Sequence, residues 1–360
     1  MTAALMLARR ALGQAWPNPA VGCIVLDRSG RVVGRGWTRP GGRPHAETEA
    51  LAQAGEQARG GTVYVTLEPC AHQGQTPPCA EALVAAGITR VVSAAEDPDA
   101  RVSGRGLDLL RKANIAVTAD VCKEEAEEIN FGFFTRLRHG RPMVTLKLAT
   151  SLDGRIALAS GESRWITAEA ARRRGHWLRA THDAVLIGAG TALSDDPQLT
   201  CRLPGLEHRS PVRVLIDPNL RVPSTAKLYR EARSVALWVI AAPSAAEAEL
   251  TRRVDAGAEV LKIPAGPDGR PAASAILAAL GGRGITRLLV EGGSRMATAL
   301  LEAGLVDRIA WFRAPVLIGA DGLPATAMLG LQRLSAAPRF HLAGVERLGP
   351  DLLESYERDV

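Results

Sequence analysis

His45, Cys70 and Cys79 lie far apart along the chain, and a fold that brings them to one point is narrowly constrained. One imidazole and two thiols make the ligand set of a catalytic zinc with an open fourth position. Glu47 follows the histidine by two residues, and each cysteine follows a proline, as Pro69-Cys70 and Pro78-Cys79. H-x-E followed by P-C-x-x-C is the pattern of zinc-dependent deaminases. Here eight residues separate the cysteines instead of two. The longer loop still reaches the metal, because closing a few more residues costs little.

In mid-helix, positions i and i+2 point apart. His45 and Glu47 can therefore converge only near a helix start, and Gly41-Gly42-Arg43-Pro44 stands just before them. Ala46, Ala50, Leu51 and Ala54 then supply a buried helical face. In this reading Glu47 is not a ligand. It takes a proton from water, gives it to a ring nitrogen and then protonates the departing ammonia. A structural zinc would need a fourth protein ligand, and His72 is the nearby candidate.

A chain of 360 residues is too long for one typical core, and two domains are expected. The net charge of +6 is modest and suits anionic small molecules better than long nucleic acid; aromatics are only 4% of residues, too few for a base-stacking path. Five cysteines, two of them assigned to metal, argue for a reducing compartment, and a cytoplasmic location is expected. The first residues place arginines after the apolar ones, the reverse of a signal peptide. No apolar run is long enough for a membrane span.

Periodicity predicts a helix over residues 2–12, a hairpin of strands 21–27 and 32–37, the helix after His45, a strand over 62–66 that delivers Cys70, and a cysteine at a helix start, where free N–H groups favour thiolate. A helix over 79–86, a strand over 90–95, a helix over 106–113, a strand over 115–119 and one long helix over 123–138 follow. The boundary is expected within residues 138–142, giving domains 1–141 and 142–360. The second half restarts with a strand over 143–149, then a helix over 168–180 capped by Thr167. Further strands are expected at 184–188, 212–217, 235–240, 259–263, 287–290 and 308–313, helices at 245–256, 272–280 and 296–303, and two closing strands after residue 339.

Two stretches of this half carry polar chemistry. Val290-Glu291-Gly292-Gly293-Ser294 joins a strand to a helix, where glycines let backbone N–H groups approach a phosphate. Asp195-Asp196-Pro197, with Arg202 close by, is either a solvated turn or part of a ligand site. Residues alone leave open a nucleic-acid or nucleoside deaminase with an accessory second domain, and a zinc-stabilised binding module without catalysis.

The motifs in order resemble, over essentially the full length, the bifunctional deaminase-reductase family of riboflavin biosynthesis. Pro17-Asn18-Pro19-Ala20-Val21-Gly22, His45-Ala46-Glu47, Val65-Thr66-Leu67-Glu68-Pro69-Cys70 and Thr76-Pro77-Pro78-Cys79 look like its deaminase half. Lys147 to Arg155, Ser160-Gly161-Glu162-Ser163, Trp165-Ile166-Thr167, Asp195-Asp196-Pro197 and Val290-Glu291-Gly292-Gly293 look like its reductase half. The resemblance implies an α/β architecture, a cytidine-deaminase-like three-layer domain followed by a dihydrofolate-reductase-like α/β domain. It implies zinc-dependent deamination of a diaminopyrimidinone carrying a ribose 5-phosphate, then NADPH-dependent reduction of the ribosyl chain to ribityl. Carried over, His45, Cys70 and Cys79 hold zinc and Glu47 moves protons. Ala149, Trp165, Thr191, Asp195 and the run Gly293, Ser294, Arg295, Met296, Ala297, Thr298, Ala299 match cofactor-contacting positions. Ser163, Arg179, Leu199, Arg202 and Glu291 match substrate-contacting positions, with the Arg179 and Arg202 forks suited to phosphate. Hydride chemistry belongs to the nicotinamide, so no strong acid–base pair is expected in the second half. Gln75 and Pro218 depart from the family pattern, where a basic residue and a serine are common; neither is expected to abolish activity. The partner is a small phosphorylated pyrimidine, without nucleic acid or membrane, and sequential sites make a homo-oligomer plausible. His139, His176, His182, His208 and His341 have no partner pattern and are taken as structural.

Overall fold

The computed structural model describes residues 1–71, 77–99, 102–266 and 269–359. The chain divides into two compact units, Met1–Gly140 and Arg141–Val360.

In the first unit, strands β1 (Gly22–Leu26), β2 (Val32–Trp37), β3 (Thr62–Leu67), β4 (Arg90–Ala95) and β5 (Ala116–Thr118) form a sheet ordered β2-β1-β3-β4-β5. β1 runs antiparallel to β2 and β3, and β3, β4 and β5 run parallel. The helices are α1 (Thr2–Ala8), α2 (Ala46–Ala54), α3 (Cys79–Ala85), α4 (Arg105–Lys112), α5 (Lys123–Ile129) and α6 (Phe131–His139). α2 rests unusually close on β2, because its buried face is alanine and the strand beneath offers glycine. A Cβ on Gly34 would lie 2.1 Å from the Ala50 carbonyl oxygen, and one on Gly36 2.1 Å from that of Ala46.

Two expected helices change length. The first ends at Ala8 and tightens into a 3-10 turn, Arg9–Ala11. The long helix over 123–138 is two, broken at Asn130. The Asn130 amide pairs with the backbone of Ala20, accepting its N–H at 2.8 Å and donating to its carbonyl at 3.1 Å. That buried pair ties the Pro17–Ala20 loop to the helix break, and local periodicity contains no sign of it.

The second unit holds a nine-stranded sheet ordered β11-β10-β9-β8-β12-β6-β13-β16-β15. Its elements are β6 (Met143–Thr150), β7 (Arg155–Ala157), α7 (Glu169–Ala180), β8 (Ala184–Gly188), α8 (Ala189–Asp195), β9 (Val212–Ile216), α9 (Lys227–Arg230), β10 (Leu237–Ala241), α10 (Glu247–Asp255), β11 (Glu259–Lys262), α11 (Ala273–Gly282), β12 (Arg287–Val290), α12 (Ser294–Glu302), β13 (Arg308–Arg313), β14 (Leu323–Pro324), β15 (Phe340–Leu348) and β16 (Asp351–Arg358). Strands from β11 to β13 are parallel, and β16 alone runs the other way, pairing antiparallel with β13 on one side and β15 on the other. The inner parallel strands β8, β9 and β10 are near-continuous apolar runs buried on both faces, as such sheets require. The chain builds outward from β8 to β11 and then returns to insert β12 between β8 and β6. Strand order therefore reverses at β8–β12–β6, where open α/β sheets bind ligands outside their carboxyl ends.

Thr167 is not the cap of α7. The N-cap is Ala168, whose N–H donates to the Asp351 carboxylate at 2.7 Å. The short elements β7, β14, α8 and α9 have no counterpart in the sequence-based expectations.

Candidate active sites

His45 is the N-cap of α2, in extended conformation, so Ala46 and Glu47 begin the helix while the imidazole stands outside it. That placement lets residues i and i+2 face one site. Cys79 opens α3. Cys70 lies in the coil after β3 instead of at a helix start, and it receives the helix N–H from outside: the Cys79 N–H donates to Cys70 Sγ at 3.3 Å. His45 Nδ1 is 3.3 Å from Cys79 Sγ and 3.8 Å from Cys70 Sγ, and the three donor atoms lie within 4.8 Å of one another. Bond lengths of about 2.0–2.3 Å in a tetrahedral zinc site put neighbouring donors roughly 3.5 Å apart, so these residues fit the metal. His72 and Gln75 fall outside the described residues, as does Thr76 of the Thr-Pro-Pro-Cys motif.

Electrostatics separate the two thiols. Hydrogen bonds with Cys79 and His45 draw Cys70 down to about 4, whereas the shared hydrogen bond with Cys70, together with burial, pushes Cys79 up. Glu47 is only 4% exposed, and burial raises its carboxyl to about 7. A carboxyl held there can both accept and release a proton near neutrality.

The supports of this site were not assigned from sequence. The buried Glu68 carboxylate accepts backbone N–H groups of Gly104 at 3.0 Å and Gly106 at 2.8 Å, at the start of α4. A Cβ on Gly106 would lie 1.9 Å from the Pro69 carbonyl oxygen, so the segment carrying Cys70 and the helix start are pressed together. Asp97, after β4, is buried; burial raises its carboxyl to about 6, with Glu68 and Cys70 among the charges it feels. The signal available in the sequence was only an acidic residue beside a proline at a strand end.

In the second unit a cavity of about 380 Å³ opens where strand order reverses. Ser163, Trp165, Arg179, Thr191, Asp195, Leu199, Arg202 and Glu291 all line it. Ala149 and Gly293 to Ala299 do not. Ala149 is half-buried on β6; Ala297 and Thr298 turn into the core, where the Thr298 hydroxyl accepts the Ala327 N–H at 2.7 Å. Ser294 and Met296 are half-buried, while Arg295 and Ala299 are exposed. Gly293 is linked to the cavity through its N–H, which donates to the Thr191 hydroxyl at 3.2 Å. Pro218, after β9, accepts the Ala242 N–H through its carbonyl.

Glu291, at the end of β12, meets the Arg179 fork at 2.7 and 2.9 Å, and the Lys147 ammonium stands 3.8 Å away. Burial alone would raise this carboxyl; Arg179 and Lys147 outweigh it and hold Glu291 near 2. It is a fixed charge, not a proton carrier, at neutral pH. Arg179 thus presents its fork to Glu291 and not to the open cavity. Among the described residues Arg202 has no carboxylate within ion-pair distance. Lys147 was not singled out from sequence, although a lysine inside the apolar run of β6 was the available signal. Trp165 is 68% exposed at the rim, with the Arg172 guanidinium 4.7 Å from its ring centre. The exposed indole and the bare Gly292-Gly293 turn at the start of α12 fit a ring-bearing, phosphate-bearing cofactor.

Residues 1–95 match the model for the cytidine and deoxycytidylate deaminase zinc-binding region, and residues 142–353 match that for the RibD C-terminal domain. The riboflavin biosynthesis protein RibD of Escherichia coli is 41% identical over 363 residues, covering 98% of this chain and 96% of that protein. The chain belongs to the RibD family. The RibD of Aquifex aeolicus is 42% identical, covering 99% of this chain and 97% of its own. Among solved structures, Acinetobacter baumannii RibD aligns with a TM-score of 0.88 at 37% identity, covering 100% of this chain and 98% of the other. A Thermotoga maritima deaminase/reductase aligns with a TM-score of 0.86 at 34% identity, covering 100% and 97%. As in RibD, a cytidine-deaminase-like unit precedes a dihydrofolate-reductase-like one, and the chain is a bifunctional enzyme, hydrolase and oxidoreductase, of riboflavin biosynthesis. Its cofactors are zinc and NADPH. No described helix is long and apolar enough to cross a membrane.

Proposed function

We propose that residues 1–141 hydrolytically deaminate a diaminopyrimidinone bearing a ribose 5-phosphate, and that residues 142–360 then reduce the ribosyl chain to ribityl. The named activities of the Thermotoga maritima relative support this order. The observation that carries it is the convergence of His45, Cys70 and Cys79 beside a buried, non-ligating Glu47.

His45, Cys70 and Cys79 hold the zinc, which when bound makes a water nucleophilic near neutral pH. Glu47 takes a proton as the water oxygen bonds to the amino-bearing ring carbon. It passes that proton to the adjacent ring nitrogen, then takes the hydroxyl proton of the tetrahedral adduct and delivers it to the amino nitrogen as the carbonyl forms, the carbon–nitrogen bond breaks and ammonia leaves. A carboxyl near 7 suits both directions of transfer.

In the second unit NADPH supplies the hydride. Trp165, Thr191 and Asp195 position the cofactor, together with the turn before α12. Ser163, Leu199 and Glu291 shape the substrate side. Arg202, a lining arginine with no carboxylate within ion-pair distance among the described residues, takes the phosphate. Arg179, Lys147 and Glu291 form a locked charge cluster that orients the ribosyl end. The substrate is a small molecule and not nucleic acid, given the modest charge and few aromatics. The proposed setting is the cytoplasm, where thiols stay reduced. Self-association into a homo-oligomer belongs to the same reading, and sedimentation at working concentration tests it.

The test is a coupled assay on the full chain, following ammonia release and NADPH oxidation from the diamino substrate. Both should proceed, ammonia first. Zinc-loaded protein that releases no ammonia would refute the substrate assignment.

A further inference from the structure

The segment that follows α8 carries the cavity's Arg202, and it is gripped from behind by side chains that no sequence motif marks. Arg213 lies on β9 with its side chain 0% exposed. Its guanidinium donates to the Gln198 carbonyl at 3.4 Å and to the Val235 carbonyl, and it stands 3.7 Å from the Glu231 carboxylate. Glu231 in turn accepts the Gln198 side-chain N–H at 2.7 Å. The opposite end of that amide, Oε1, accepts from Arg202 Nη1 at 3.1 Å.

The chemistry of an amide makes this chain directional. A glutamine side chain has two ends of nearly equal size, one donating and one accepting. A carboxylate only accepts, so Glu231 must face the Gln198 NH₂ group. The carbonyl oxygen is then turned toward Arg202, and Arg202 only donates. Arg213, buried and unable to shed its charge, keeps Glu231 in place. The backbone of the segment is also held. Leu199 sits at φ +59°, a left-handed conformation that leucine seldom adopts. It turns the Thr200 carbonyl toward Arg179, which donates to it at 3.1 Å.

We propose that Gln198 is a positioning residue for substrate phosphate: clamped by Glu231 and Arg213, it aims the Arg202 guanidinium into the reductase cavity. The inference rests on the reading of Arg202 as the phosphate-binding arginine. Gln198 engages only one Arg202 nitrogen, which leaves the rest of the fork for a phosphate. An unguided arginine would have to order its long side chain on binding, and affinity for the phosphorylated substrate would fall.

The experiment is steady-state reduction of the deaminated substrate by the full chain with NADPH, for Gln198→Leu, Arg202→Ala and the double variant. Gln198→Leu keeps the volume and removes both hydrogen bonds. It should raise KM for the phosphorylated substrate about tenfold, leave kcat and the KM for NADPH within about twofold, and weaken competitive inhibition by inorganic phosphate in parallel. In the Arg202→Ala background the same substitution should add almost nothing, because the two residues act as one. Glu231→Gln, which frees the amide to turn over, should shift KM in the same direction by a smaller factor, and it carries the test if Gln198→Leu folds poorly. If Arg202→Ala raises KM while neither the Gln198 nor the Glu231 variant does, the positioning role is overturned and the reading of Arg202 stands. Additive effects in the double variant overturn it likewise. If Arg202→Ala leaves KM unchanged, the reading of Arg202 falls, and the inference with it.

Discussion

Glu47 and Glu291 are buried carboxylates at opposite ends of the protonation range. Burial raises Glu47 to about 7 against the opposing charge of His45, while Glu291 is held near 2 by Arg179 and Lys147. The first can move protons at neutral pH and the second cannot. Glu47→Gln should therefore lower ammonia release by roughly 10²–10⁴-fold, with zinc content unchanged by metal analysis and reduction of the deaminated intermediate intact. A second expectation concerns His182, buried with its Nδ1 side 2.7 Å from the Leu178 carbonyl and Nε2 2.9 Å from the Thr145 hydroxyl. Burial, with Arg287 nearby, lowers it to about 3. The unfolded chain binds that proton near 6.5. Its contribution is thus complete above 6.5 and lost as pH falls from 6.5 toward 3. Between pH 7.5 and 5.5 the loss is about 1.3 kcal/mol, visible as a lower urea midpoint that His182→Gln should flatten. The chemistry-bearing residues were legible when their type was informative by itself. His45, Cys70, Cys79 and Glu47 were, because such spacing is rare. Lys147 and Glu68 were not, because a lysine in a strand and a glutamate before a proline are ordinary until their partners are known.

Elements were legible wherever local pattern decides them. The hairpin, the β4 strand and the parallel strands of the second unit follow from apolar runs and turn residues. Elements whose limits depend on distant partners were not. Asn130 breaks a helix to bond Ala20, and Asp351 caps α7 at Ala168; neither partner is near in sequence. The glycines of β2 belong here too, since only the packing of α2 against them gives them meaning. Gly36→Ala should force α2 off the strand at the end that carries His45 and Glu47. We expect a destabilisation of about 1–3 kcal/mol, a lower melting temperature, weaker zinc retention and reduced ammonia release. Gly30→Ala, at an open turn with nothing near its Cβ position, should leave zinc retention unaffected.

At the scale of the molecule, each unit has its own apolar core. One gathers around β1, β3 and β4, and others around β8–β10 and beside β16. Stripping zinc with a chelator should therefore abolish ammonia release and leave NADPH-dependent reduction of the deaminated intermediate within about twofold. Joint loss of both activities would mean that the second unit depends on the metal. That two sheets succeed one another was legible from the restart of the strand pattern at Met143; the order of strands within the larger sheet was not, because register across a sheet is a property of packing.

That order has a consequence for how the protein is made. The three zinc ligands have all been synthesised by residue 79, well before the second sheet begins. The larger sheet cannot close so early. β6 and β8 flank a gap that only β12 fills, and β12 is completed at Val290. Until then the nascent chain carries two apolar strand edges with unpaired N–H and C=O groups facing each other across an empty slot. Such edges invite pairing with any passing strand. Chain synthesis between roughly residues 190 and 290 is thus the interval in which these edges lack their partner, and the insertion that completes the reductase cavity is the same event that ends that exposure.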